Sequence, residues 1–122
     1  MAPKLGYVLP TREFIMNGRP EVAPLLDLAA KAEALGFESV WVGDSIVARP
    51  RHEPLTLLAA IAIRAPKVTL GTAVLLPVLR NPVVLAHQLA TLDQICEGRL
   101  IVGVGVGPDT PGVRAEFMAA GV

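Results

Sequence analysis

The chain has 122 residues, 52% of them hydrophobic but only 4% aromatic, which is enough apolar material for a core built mainly from Leu, Val, Ala and Ile. Eleven basic residues balance eleven acidic ones, which removes the electrostatic footprint expected of a nucleic-acid binder or a membrane-surface protein. No uncharged run approaches the roughly 18 apolar residues of a membrane span, Met1–Lys4 leads into no signal-like segment, and Cys96 has no partner for an internal disulfide, so a soluble cytoplasmic protein is the expectation.

Taken in chain order, Lys4–Leu9 reads as a first strand and Pro20–Leu35 as a first helix. Leu25, Leu28, Ala29, Ala32 and Leu35 recur there at helical spacing, and Gly36 supplies a left-handed end. Ser39–Gly43 is the second strand. A second helix opens near Pro54, places Leu57, Leu58, Ile61 and Ala65 on one face, and stops before Pro66. Val68–Leu76 is the third strand. In the third helix Asn81 is the N-cap, Pro82 the first helical residue, Leu85, Leu89, Leu92 and Cys96 the apolar seam, and Gly98 the end. Leu100–Val106 is the fourth strand, and Pro111–Ala120 begins a further helical element.

The strands are Val/Leu/Ile-rich rather than strictly alternating, the pattern of strands buried on both faces. Four strand–helix units at this spacing predict right-handed parallel crossovers and an α/β sheet, either open and doubly wound or curved into part of a barrel. No linker or charge block divides residues 1–122, which are expected to form one domain.

In parallel α/β architectures ligands gather beyond the carboxyl ends of the strands. That rule selects the loop after Leu9, Gly43-Asp44-Ser45, Thr72-Ala73-Val74 and Gly105–Asp109. Asp44 is suited either to accept a hydrogen bond from a ligand or to serve as a loop or cap carboxylate; position alone leaves both open. Ser45 has no base beside it and no nucleophile elbow around it, which argues against a serine hydrolase. Gly103, Gly105 and Gly107 are predicted to leave one face of the fourth strand without side chains, either admitting a flat ring or a phosphate or relieving crowding. GVGVGP departs from the GxGxxG dinucleotide fingerprint. Arg49, Arg51 and His52 form a basic loop, read mainly as solvated but able to meet an anionic cofactor tail. His87 is expected at the surface, Trp41 and Cys96 in packing, and Arg99 paired with Asp93 or Glu97. No histidine or cysteine spacing supports a metal site.

The ordered tracts GFESVWVGDS, EPLTLLAAIA, LGTAVLLPVLRNPVVLAHQLATLDQICEGRLIVGVGVG and RAEFMAAGV resemble the amino-terminal half of the luciferase-like monooxygenase family, across nearly the whole chain. That family includes bacterial-luciferase-type flavin monooxygenases and oxidoreductases using the deazaflavin F420. The resemblance implies a TIM-type barrel with a ring at its carboxyl face, FMN (with NAD(P)H as reductant) or F420 as cofactor, and oxidation of a small organic substrate. It implies a bulge with a non-proline cis peptide at Ala73-Val74, and Asp44, Ser45, Thr72, Ala73, Val74, Gly105 and Gly107 as cofactor-contacting positions. Ser45 stands where many members have a histidine, so no general acid or base is assigned. Pro108 stands where some sugar-phosphate dehydrogenase members have a glutamate, which points away from that branch.

A TIM-type barrel of eight strands needs about 250 residues. Four units therefore make a half or incomplete barrel, with two unpaired edges and an exposed apolar interior. Two expectations follow: an oxidoreductase active after pairing as a homo-oligomer or with another chain, or a truncated non-catalytic half-barrel acting as an assembly module. A third, a different half-barrel phosphate enzyme, finds little in VGPDTPG beyond glycine.

Overall fold

The computed structural model describes all 122 residues. In chain order the elements are β1 (Gly6–Val8), α1 (Thr11–Met16), α2 (Ala23–Ala34), β2 (Ser39–Val42), α3 (Pro54–Arg64), β3 (Thr69–Leu75), α4 (Pro82–Ile95), β4 (Leu100–Val104) and α5 (Pro111–Ala119), with a 3₁₀ turn at Pro77–Leu79. The strands form one parallel sheet in the order β1-β2-β3-β4, so β1 and β4 are open edges and the sheet does not close.

Helix boundaries follow local chemistry. Asn81 accepts hydrogen bonds from the Val83 and Val84 N–H groups, and Glu53 caps α3 through the Thr56 N–H. Gly36 and Gly98 adopt φ of +89° and +77° and end α2 and α4 as expected. Two boundaries differ from the sequence reading. The loop after Leu9 holds the six-residue α1, too short to leave a periodic signal, and α2 starts at Ala23 because Pro24, rather than Pro20, occupies the first turn.

The two faces of the sheet are unlike. Tyr7, Val40, Leu70 and Leu100 stand side by side in register on the helix-covered face. They join a core in which Leu25, Leu58, Ile61 and Leu75 are fully buried, and Cys96 packs into the same core. The next row, Val8, Trp41, Gly71 and Ile101, lies on the other face, which no element covers, and Val8 and Ile101 are half exposed there. Trp41 lies flat across its neighbours. A Cβ added at Gly71 would come 2.2 Å from the indole ring and one at Gly6 2.6 Å from Nε1, so those glycines make room for the tryptophan. Trp41 is packing, as expected, and its N–H is satisfied by Ser39 Oγ at 2.8 Å.

Arg99 corrects an expectation. It pairs with neither Asp93 nor Glu97 but donates to the carbonyls of Ala62, Ala65 and Val68, because the last turn of α3 and the segment after it leave backbone acceptors free. The role stays structural: the guanidinium closes a helix terminus and fixes β4 beside it.

Candidate functional site

A cavity of about 240 Å³ opens at the carboxyl ends of β2, β3 and β4. It brings together five of the predicted positions, Asp44, Ser45, Ala73, Val74 and Gly107, with Arg49 and Arg51 from the β2–α3 loop and the first turn of α5. The larger groove, about 350 Å³, lies between α3 and α4 beside the exposed His87, away from the strand ends where parallel α/β sheets bind ligands.

The floor is made by β3. Pairing with β4 slips between Thr72 and Leu75, and the Ala73-Val74 peptide is cis, as the family resemblance implied. Ala73 and Val74 are exposed on this step. Thr72 does not line the cavity: it is fully buried and its hydroxyl donates to the Gly103 carbonyl at 2.8 Å.

The glycine ladder serves the bulge. A Cβ at Gly103 would come 2.4 Å from the Thr72 carbonyl oxygen and one at Gly105 2.6 Å from Val74 Cγ2. Gly105 is thus packed behind Val74 and is not part of the lining. The alternation expected through Gly107 stops earlier: β4 ends at Val104, and Gly107 turns the chain with φ +74° at the cavity wall.

Two buried carboxylates brace the rim. Asp44 places its side chain, 1% exposed, against Arg80: Nη1 donates to Oδ2 at 2.6 Å and Nη2 to Oδ1 at 3.1 Å. Oδ2 also accepts the Leu76 N–H at 2.9 Å, so Asp44 ties the end of β2 to the segment that follows the bulge. Burial works against the Arg80 charge, but Asp44 and Glu53, the latter at 3.0 Å, outweigh it and hold the guanidinium above its ordinary pKa.

The second brace, Glu116 of α5, escaped sequence reasoning. It is 1% exposed, and its Oε1 accepts from Ser45 Oγ at 2.8 Å, from the Val47 N–H at 2.8 Å and from the Ile46 N–H. Burial would raise its pKa. The Val47 N–H, the Ser45 hydroxyl and the Ile46 and Ala48 N–H groups outweigh that and hold the carboxyl below its usual range. The only sequence signal was a charged residue amid the apolar RAEFMAA run; its partners lie some 70 residues away.

Ser45 works within this brace, donating to Glu116 while accepting the Arg49 N–H at 2.9 Å. The basic loop divides. His52 turns away to the Pro20 carbonyl at 2.9 Å, whereas Arg49 and Arg51 stay at the cavity. No group of three or more His, Cys, Asp or Glu side chains is placed to hold a metal ion, and no helix is long and apolar enough to cross a membrane.

An open run of parallel strand–helix units, with a bulged third strand flooring a cavity at the carboxyl ends, defines the chain as part of a TIM-type barrel. The luciferase-like monooxygenase family model matches residues 3–116, and the chain belongs to that family. It is 41% identical over 111 residues to an F420-dependent glucose-6-phosphate dehydrogenase of Amycolatopsis mediterranei, covering 85% of this chain and 31% of that protein. Among solved structures it is similar to a monooxygenase from Streptomyces bottropensis (31% identity, TM-score 0.77, 98% of this chain and 37% of that one). It is also similar to the coenzyme F420 dependent tetrahydromethanopterin reductase of Methanopyrus kandleri (28% identity, TM-score 0.73, 100% of this chain and 31% of that one). The chain therefore spans about a third of the length of the relatives it matches. Pro108 does not set it apart from the sugar-phosphate branch in overall similarity, contrary to the expectation drawn from that position.

Proposed function

We propose that this chain contributes the ring-binding part of an FMN- or F420-dependent oxidoreductase that acts on a small organic substrate. The observation that carries the reading is the cavity at the strand ends, floored by exposed Ala73 and Val74 and walled by Gly107, in a member of this family.

The residues fit a flat ring. Ala73 and Val74 offer an apolar step, and Gly43 and Gly107 leave the walls without side chains. A bound deazaflavin would supply hydride exchange with the substrate, and a bound reduced flavin would supply oxygen activation. Asp44 holds the Leu76 N–H and Arg80 and so keeps the floor in place. Ser45 and Glu116 hold the facing wall. Thr72 supports the floor from below through Gly103, and Gly105 lets Val74 lie close. The five predicted positions that line the cavity are the candidate contacts; Thr72 and Gly105 act behind them.

The test is fluorescence titration of the 122-residue chain with FMN and with F420. Saturable quenching or enhancement weakened by Val74→Asp supports the reading, and no binding of either molecule at any accessible concentration defeats it for this chain.

A second reading rests on a different observation, the uncovered apolar face and its two open edges. Val8 and Ile101 are at least half exposed on that face, Val104 and Val106 are exposed at the open β4 edge, and a surface of this kind favours association. On this reading the chain pairs with a second copy or another chain, completing an active barrel or serving as an assembly module without catalysis. Mass measured across a dilution series separates these outcomes from a monomer, and cofactor retention by the assembled species separates the active barrel from the inert module.

A further inference from the structure

We propose that Arg49, Arg51 and the first turn of α5 form a subsite for an anionic oxygen group, a phosphate or a carboxylate, carried on a ligand. The proposal does not depend on ring binding, because the subsite lies on the loop side of the cavity rather than on the Ala73-Val74 floor.

The first observation is two unmatched cations at one cavity. The ion pairs of the chain engage Arg64, Arg80 and Arg114, but neither Arg49 nor Arg51 donates from its guanidinium to any carboxylate or carbonyl. Both are held by their backbones: the Arg49 N–H donates to Ser45 Oγ at 2.9 Å and the Arg51 N–H to the Ser45 carbonyl at 3.1 Å. The Arg51 guanidinium lies against the end of β2, where a Cβ on Gly43 would come 2.9 Å from its Cζ. A planar fork pre-positioned in this way matches the paired oxygens of phosphate or carboxylate.

The facing wall is complementary. Thr110 caps α5, taking the Val113 N–H on Oγ1 at 3.3 Å and the Arg114 N–H on its carbonyl at 2.9 Å. The Gly112 N–H, one residue into the nine-residue helix, is left out of that cap and lies at the cavity. Amide groups at a helix start favour an anion.

Two carboxylates also stand at the cavity. Asp44 is matched by Arg80, and the charge of Glu116 Oε1 is spread over three donors. Glu116 Oε2 has no hydrogen-bond partner but is sealed from solvent, so a ligand in the cavity does not reach it. The cavity volume of about 240 Å³ is below that of a pocket for a whole drug-sized ligand, and its loop side suits an anionic group.

The test follows arginine Nε–H and backbone amide resonances of the 122-residue chain as inorganic phosphate is added at constant ionic strength. A saturable shift at Arg51 Nε–H and the Gly112 amide is expected. Arg51→Gln should weaken it at least about tenfold, the loss of one charge-assisted hydrogen bond or more. Arg51→Lys should retain part of it, and Arg64→Gln, at the end of α3 and outside the cavity, should leave it unchanged. Unaltered amide dispersion in each variant shows that the fold is kept. Shifts that stay linear with phosphate, or that persist in Arg51→Gln, overturn the proposal. Competition then assigns the source of the anion. Displacement of phosphate by glucose 6-phosphate but not glucose places a substrate group in the subsite, and displacement by FMN but not riboflavin places a cofactor tail there. Both support the subsite, and neither arm reports on ring fluorescence, so failure of ring binding is read separately.

Discussion

The helix-covered face of the sheet and the uncovered face are made by the same strands, yet they obey different rules. On the covered face Val40, Val42, Leu70 and Leu75 lose essentially all contact with water and pack against α2, α3 and α4. On the uncovered face Trp41 and Gly71, next to them in sequence, and Ile101, in register with Gly71, meet no other layer. Side chains alternate along a strand, so one residue separates a position that stabilises the fold from one that is free to meet a partner. The cavity sits where the two regimes meet at the strand ends, and there the chain uses polar braces instead of apolar packing.

Four substitutions test that contrast. Leu58→Ala, in the fully buried layer, should destabilise by about 2–5 kcal/mol through lost transfer energy and a cavity. Its denaturant midpoint should fall accordingly, and a loss below 1 kcal/mol would mean that the covered face is not the core. Arg80→Ala removes the partner of a carboxylate 1% exposed and should cost about 3 kcal/mol, the low end for breaking a buried pair because Arg80 itself is 13% exposed. Arg80→Ala with Asp44→Asn should recover part of that, and a double-mutant cycle measures the coupling.

Glu116→Gln should cost about 1–3 kcal/mol by weakening the bonds that hold Ser45–Val47. It carries a pH signature. The folded chain holds this carboxyl below its usual pKa, so the unfolded chain binds more protons as the pH drops. The contribution is present above the unfolded carboxylate pKa and is lost as pH falls through the folded one. Acid unfolding of Glu116→Gln should therefore be less steep than that of the parent. Ile101→Ser, on the uncovered face and 50% accessible, should change stability by no more than about 1 kcal/mol. It should instead lower self-association in a dilution series, and a large stability loss would show that the face is covered in the isolated chain.

Much of the fold was legible locally. Asn81-Pro82, Pro54, Gly36 and Gly98 mark helix ends by backbone chemistry that acts within a few residues, and all four are found in those roles. Short uncharged Val/Leu-rich runs announced parallel strands. The helix α1 was missed because six residues carry too little periodicity, and Arg99 was misassigned because its carbonyl partners come from the end of α3 and the segment after it, some 31–37 residues earlier.

The site was legible in position but not in role. Asp44, Ser45, Ala73, Val74 and Gly107 converge as the strand-end rule requires. That Asp44 is engaged by Arg80, that Ser45 is engaged by Glu116, and that Gly103 and Gly105 accommodate the β3 bulge are contacts between different units of the repeat.

The sequence by itself determined the order of the strands and longer helices, their capping, the parallel architecture and the family, because these depend on periodicity, turn chemistry and motif order along the chain. Tertiary structure alone decided which charges are cancelled and which are free. Arg80 and Arg51 are equivalent on paper, but one lies within 2.6 Å of a buried carboxylate and the other faces a cavity. The strength of a charge interaction depends on distance and on exclusion of water, and neither is written in residue type or spacing.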